Sequence, residues 1–164
     1  MPQRTVPELI SMKGRERLAV LTAYDFPMAA MLDEAGIDIL LVGDSMGNVV
    51  YGLPTTLGVT IEDTLRHTQA VSRAAKRALV VADMPFGSYQ PSVETAIRNA
   101  SRLMAEGGAQ AVKLEGGRPM AETVRRMVEV GIPVMGHVGL TPQSVHQLGG
   151  YRMRGKTSSE AEMI

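Results

Sequence analysis

The stretch 33–45, DEAGIDILLVGDS, passes from an acidic helix end through one glycine into a short apolar run that finishes on a carboxylate. The same plan returns at 105–117, AEGGAQAVKLEGG, and at 128–140, VEVGIPVMGHVGL. A glycine just after a helical segment is a natural stop, because it takes the left-handed conformation that other residues avoid. The runs that follow are apolar on both faces, as parallel strands covered from both sides tend to be. Each stretch is therefore the αβ half of a repeated βα unit.

Working outward, the candidate strands are RLAVLTAY (17–24), DILLVGDS (38–45), ALVVADMP (78–85), AQAVKLEG (109–116) and IPVMGHVG (132–139). Helical segments lie between them. Thr60 to Lys76 opens with the capping-box pattern Thr60-Ile61-Glu62-Asp63 and sets Ile61, Leu65, Thr68, Val71 and Ala75 on one face. From Ser92, the residues Val93, Ala96, Ile97, Ala100, Leu103 and Met104 keep helical spacing until Gly107-Gly108. Two shorter helices are expected, from Asp25 to about Ala35 and from Pro119 to about Val130. Five strands with four intervening helices imply a parallel α/β sheet, either doubly wound or part of a barrel. The tail, from Thr141, reads as a polar, glycine-containing loop followed by the first turn of a further helix.

The 164 residues predict one domain with a real core. Seventeen Lys plus Arg balance seventeen Asp plus Glu, which leaves no basic field for nucleic acid. Cysteine is absent, so disulfides, thiolate metal sites and a cysteine nucleophile are excluded, and any metal must sit on oxygen or histidine. The N-terminus carries no apolar core of signal-peptide length, and no run reaches the roughly 18 residues of a membrane span. The expectation is a cytoplasmic protein acting on a small molecule.

Ionisable residues mark the carboxyl ends of the strands: Asp44, Asp83, Lys113 with Glu115, and His137. In both parallel architectures that edge is where ligands bind. Taken singly, each has an ordinary structural explanation: a turn or cap for the aspartates, an ion pair for Lys113 and Glu115, a hydrogen-bonded core residue for His137. Four adjacent strands ending this way point instead to a site, because charges in apolar strands are costly unless paired or liganded. Asp25 is read as a helix cap, and His67 and His146 are given no chemical role.

Gly43-Asp44-Ser45-Met46-Gly47 also matches G-x-S-x-G, and Asp83 and His137 follow in the order of an α/β-hydrolase triad. That elbow requires a helix starting at the serine. The run from Ser45 to Thr60, with its glycines and a proline, reads as loop, and a triad would leave Lys113 and Glu115 without a role. Three carboxylates without cysteine suit a hard divalent cation, Mg²⁺ above all, acting as a Lewis acid on a carbonyl compound. The residues thus suggest metal-assisted enolisation of a small oxo acid.

The motifs TAYD (22–25), LVGDSMG (41–47), TLGVTIEDTLRHTQAV (56–71), ADMPFGSY (82–89), VKLEGG (112–117) and GHVGLTPQS (136–144) with GGY (149–151) together resemble the ketopantoate hydroxymethyltransferase (3-methyl-2-oxobutanoate hydroxymethyltransferase) family. The resemblance implies a (βα)8 TIM barrel of the phosphoenolpyruvate/pyruvate superfamily, here its first five βα units, so that 1–164 is a single domain and an incomplete barrel. It implies Mg²⁺ as cofactor, 5,10-methylenetetrahydrofolate as co-substrate, and transfer of a hydroxymethyl group to 3-methyl-2-oxobutanoate to give 2-dehydropantoate in pantothenate biosynthesis. By motif position, Asp44, Asp83 and Glu115 correspond to the metal site, Glu115 directly or through water. Asp44, Ser45, Asp83, Lys113 and His137 correspond to the substrate site. The family is homo-oligomeric, a decamer. Its general base is a Glu on a later strand, so no catalytic residue is expected among these 164, and they are expected to be inactive alone.

Overall fold

Glycines and capping side chains cut the chain into successive βα units, and the computed structural model describes them over residues 2–151 and 154–163. Met1, Arg152, Met153 and Ile164, which the terminal readings include, lie outside the described residues. In chain order the elements are α1 (Val6–Ser11), β1 (Val20–Thr22), α2 (Phe26–Glu34), β2 (Ile39–Val42), α3 (Met46–Val49), α4 (Ile61–Ala74), β3 (Leu79–Asp83), α5 (Val93–Ala105), β4 (Ala111–Glu115), α6 (Ala121–Glu129), β5 (Val134–His137), α7 (Val145–Leu148) and α8 (Ser158–Met163). Single 3₁₀ turns sit at Thr56–Gly58, Arg118–Met120 and Pro142–Ser144.

The five strands pair in sequence order, β1-β2-β3-β4-β5, every neighbour parallel. A doubly wound sheet reverses its strand order at a switch point, whereas a barrel adds each new strand on the same side. The order here is that of a barrel wall, which decides between the two architectures left open by the sequence. Register then sorts the side chains. Leu40, Val42, Val80, Ala82, Val112 and Leu114 face outward into two clusters with Ala29 of α2, Leu65 and Val71 of α4, Ala100 and Leu103 of α5, and Met127 of α6. The alternate residues Ile39, Leu79, Val81 and Ala111 form the other face, where they meet Leu9 and Met12. Asp83, Lys113 and Glu115 continue that inner face toward the carboxyl ends of the strands.

The observed helices begin where their capping residues predict. Asp25 Oδ1 accepts the Met28 N–H at 2.8 Å, and Thr60 and Asp63 complete a reciprocal capping box. Ser92 Oγ accepts the Thr95 N–H at 3.1 Å. Replacing Ser92 by Ala leaves that donor without its cap and is expected to cost about 1 kcal/mol, read as a lower urea midpoint at unchanged slope.

Three features depart from the sequence reading. The strands are shorter than the apolar runs, because residues such as 17–19 and 138–139 lie outside the paired ladders. β1 is not covered on both faces: Val20 and Leu21 are 43% and 46% exposed, since its outer edge pairs with no strand among the described residues. α1 was not foreseen, although Thr5-Val6-Pro7-Glu8 spells a capping box with proline in the first turn. Its Leu9 closes the amino-terminal end of the inner face.

Candidate active site

The site is built where β2, β3, β4 and β5 end. After β2 the chain turns through Gly43, where a Cβ would stand 2.9 Å from Ser45 Oγ, and delivers Asp44. The Asp44 backbone N–H donates to Asp83 Oδ2 at 3.1 Å. Asp83 is the last residue of β3 and lies in register with Lys113, whose Nζ donates to the same oxygen at 2.8 Å. The other oxygen, Asp83 Oδ1, is buried with no hydrogen-bond partner among the described residues. Burial pushes the Asp83 carboxyl up to about 7; Lys113 pulls against this, and neighbouring Asp44 adds to it.

Glu115 follows Lys113 by two residues on the same face, roughly 7 Å further along the strand. It is in register with His137, whose Nδ1 stands 3.4 Å from Glu115 Oε1. Glu115 Oε2 accepts the backbone N–H of Gln143 at 2.9 Å. The Tyr89 hydroxyl accepts the Glu115 backbone N–H at 3.1 Å and donates to Gln143 Oε1 at 2.8 Å. Burial raises the Tyr89 pKa, so this hydroxyl keeps its proton. Ser45 Oγ is 2.7 Å from the Tyr24 hydroxyl.

All six residues expected at the site, Asp44, Ser45, Asp83, Lys113, Glu115 and His137, line one cavity of about 540 Å³. A larger hollow of about 950 Å³ lies at the opposite end, under α1, among apolar side chains with only Lys13 and Glu16 carrying charge. It offers bulk without convergent polar groups, so the smaller cavity is the candidate for chemistry. His67 ties the Tyr24 carbonyl to the Tyr51 hydroxyl, and His146 is exposed on α7; neither lines the cavity.

The run after Ser45 corrects one expectation. It is not helix-free: α3 begins at Met46, directly behind Ser45. Four residues are too few to show a period in sequence. The turn is held by packing, with Met46 fully buried and Gly47 so close to Val59 that a Cβ would come to 2.9 Å. The strand-turn-helix context of an elbow is therefore present, and the case against it rests on geometry instead. Ser45 has a relaxed backbone, φ −55° and ψ −12°, and its hydroxyl is engaged by Tyr24. Asp83 is bonded to Lys113 and His137 lies against Glu115, so no triad is assembled.

Among the described residues no group of three or more His, Asp or Glu side chains gathers into a metal-binding cluster. Asp44 and Asp83 adjoin, whereas the β4 pleat carries Glu115 onward to His137 and Gln143. The pair nevertheless fits a hard divalent cation: Asp83 Oδ1 is a buried acceptor lacking a partner, and Mg²⁺ typically takes one or two carboxylates and fills its other positions with water or substrate.

Gln143, Tyr89 and Tyr24 were not singled out from the sequence. Gln143 is 5% exposed, and its side-chain amide donates to Asp44 Oδ2 at 2.9 Å and to the Met84 carbonyl at 3.0 Å. A glutamine in a loop carries no local signal of such contacts, which span 99 residues of chain.

Fold and cavity together define a class, a parallel barrel wall with an acidic, lysine-bearing site at the strand ends, and solved structures share its fold. 2,3-Dimethylmalate lyase, a phosphoenolpyruvate mutase/isocitrate lyase superfamily member, superposes with a TM-score of 0.62 at 18% identity, over 82% of this chain and 53% of that one. Phosphoenolpyruvate phosphomutase from Streptomyces platensis subsp. rosaceus gives 0.59 at 14% identity, over 92% and 70%. The described chain thus has the fold of part of those structures, five parallel strands added in sequence order as in a barrel wall. The particular family follows from sequence: the family model for ketopantoate hydroxymethyltransferase matches residues 3–164, and the chain belongs to that family. It is 59% identical over 152 residues to the 3-methyl-2-oxobutanoate hydroxymethyltransferase of Thermoanaerobacter sp. (strain X514), covering 93% of this chain and 56% of that protein. To the protein of the same name from Pyrococcus abyssi (strain GE5 / Orsay) it is 56% identical over 164 residues, covering 100% and 58%. The chain therefore spans somewhat over half the length of these curated relatives.

Proposed function

We propose that these residues are the metal- and oxo-acid-binding part of a transferase that moves a hydroxymethyl group from 5,10-methylenetetrahydrofolate to 3-methyl-2-oxobutanoate, giving 2-dehydropantoate. The observation that carries the reading is the buried, unpartnered Asp83 Oδ1 beside Asp44, in a cavity that also holds Lys113. Mg²⁺ held by Asp44 and Asp83 would supply the Lewis acidity that favours the enolate of the oxo acid. Lys113 gives one N–H to Asp83 and has two more for the substrate carboxylate. Ser45 Oγ, fixed by Tyr24, meets the oxo acid, and His137 borders the same pocket with Glu115 behind it.

In the reaction, the proton on the branched carbon leaves, that carbon bonds to the one-carbon unit as one of its two carbon–nitrogen bonds to folate opens, and water supplies the hydroxyl as the second breaks, the two folate nitrogens taking up the protons released by the oxo acid and the water. None of the ionisable residues that line the cavity has the proton-accepting role by resemblance. We therefore assign the base to chain beyond these residues, with 1–164 a single domain that forms an incomplete barrel. By resemblance to the family we take the enzyme to be cytoplasmic and homo-oligomeric; among the described residues no helix is long and apolar enough to cross a membrane. A related lyase is the weaker reading, because the lyase and mutase structures match at 14–19% identity and the transferases at 53–59%.

Turnover tests the assignment of the base. A homogeneous 164-residue species, verified by intact mass, is expected to form 2-dehydropantoate no faster than the enzyme-free blank. Turnover by that species, dependent on Mg²⁺ and folate, would overturn the assignment.

A further inference from the structure

Gln143 stands apart from the other loop residues near the cavity, because its side-chain and backbone N–H groups together tie the ends of three strands. Its side-chain N–H groups reach Asp44 Oδ2, after β2, and the Met84 carbonyl, after β3. Its Oε1 accepts from the Tyr89 hydroxyl at 2.8 Å and from Gln90 Nε2 at 3.2 Å. Its backbone N–H holds Glu115 Oε2, at the end of β4. The residue sits in the 3₁₀ turn Pro142–Ser144, so its position is fixed by local backbone as well as by these bonds.

We propose that Gln143 is a positioning residue for the divalent-cation site: its amide occupies Asp44 Oδ2 and so determines that the other oxygen of Asp44 serves the cation beside Asp83. The inference rests on the metal-site reading given under Proposed function and adds to it the residue that sets the geometry. The chemistry is directional. An amide nitrogen only donates, so it pairs with an ionised carboxylate and pins its rotamer without competing for the cation. Tyr89 and Gln90, donating to Oε1, remove the amide-flip ambiguity, since the flipped amide would set N–H against N–H or O–H donors. The Gln143 backbone N–H anchors the same turn to Glu115. One side chain thus couples the loop after β5 to the carboxylate of β2, and outer hydrogen-bond partners of metal ligands typically contribute 10- to 100-fold to affinity.

The test is Mn²⁺ titration of the chain followed by the electron paramagnetic resonance of the free ion, with thermal unfolding monitored in parallel in EDTA. Gln143→Met removes the amide while keeping an unbranched chain of similar length, and it leaves the backbone N–H to Glu115 in place. Gln143→Asn keeps an amide in the cluster but is one methylene short of Asp44. Both variants are expected to weaken Mn²⁺ by at least tenfold at a temperature where circular dichroism shows them folded, and Asp44→Asn is expected to abolish binding. Wild-type affinity in a folded Gln143→Met or Gln143→Asn variant, with binding still lost in Asp44→Asn, would overturn the positioning role and leave the metal site standing. Wild-type affinity in Asp44→Asn, or no saturable binding by the wild-type chain, would overturn the metal-site reading itself.

Discussion

Replacing Asp83 by Asn is expected to weaken divalent-cation binding by at least 100-fold, a loss of about 2.7 kcal/mol or more. The size follows from what Asp83 is asked to do. It sits at 1% exposure with one oxygen bound to Lys113 and the Asp44 N–H and the other, Oδ1, without a partner among the described residues. A buried acceptor left unmatched costs free energy, and a cation that fills that position recovers it. Asparagine has nearly the same shape and still accepts from Lys113 through its carbonyl, so packing is retained while the charge that attracts the cation is gone. Calorimetric titration with Mg²⁺ measures the effect. An affinity within threefold of wild type would remove Asp83 from the ligand set.

The second large effect is on stability against pH. In the metal-free chain, burial holds the Asp83 carboxyl up to about 7, above its ordinary 3.8. The folded state therefore binds this proton more tightly than the unfolded state does. The resulting contribution is fully present below 3.8 and is lost as pH rises through about 7, with a ceiling of about 4 kcal/mol at 1.36 kcal/mol per pH unit. Urea unfolding in EDTA at pH 5 and pH 8 is expected to show the wild-type chain losing stability toward pH 8 by more than Asp83→Asn does. Comparison with the variant isolates this group from the other titrating residues. The same proton must leave before the carboxylate can hold a cation, so Mg²⁺ affinity is expected to rise as pH climbs through 7. Equal pH slopes in wild type and variant would show that Asp83 is already ionised in the folded chain.

Much of this arrangement was legible in the residues. The repeated passage from acidic helix end through glycine to apolar strand gave the βα units, and charges at the ends of those strands pointed to Asp44, Asp83, Lys113, Glu115 and His137, all of which line one cavity. Strand ends are readable because an apolar run makes any charge conspicuous. Strand order was not readable: barrel and doubly wound sheets share the same local pattern, and only the sequential pairing of β1 to β5 separates them. α3 was hidden because a one-turn helix has no period, and its stability comes from Met46 and Gly47 packing at long range. Gln143 and Tyr89 were hidden for a related reason. Their contribution is a set of hydrogen bonds to strands 26 to 99 residues away, which nothing in LTPQS or FGSYQ announces. The sequence could not say which residue of β4 stands opposite Asp83; the register makes it Lys113, with Glu115 one pleat further on.

The exposed β1 edge and the inner face beyond it bear on the same chemistry. Val20 and Leu21 are apolar, strand-forming and uncovered, an arrangement that in a closed barrel would be met by further strands. Yet every residue proposed to hold cation and oxo acid lies between β2 and the turn after β5, away from that edge. Binding and turnover should therefore separate in this chain, with binding retained and turnover absent.

Titration of the chain with 3-methyl-2-oxobutanoate, in Mg²⁺ and again in EDTA, tests the central claim most directly. The account predicts saturable heat in Mg²⁺ that disappears in EDTA and in Asp83→Asn. Oxo-acid binding of equal strength in EDTA, or in the variant, would contradict it.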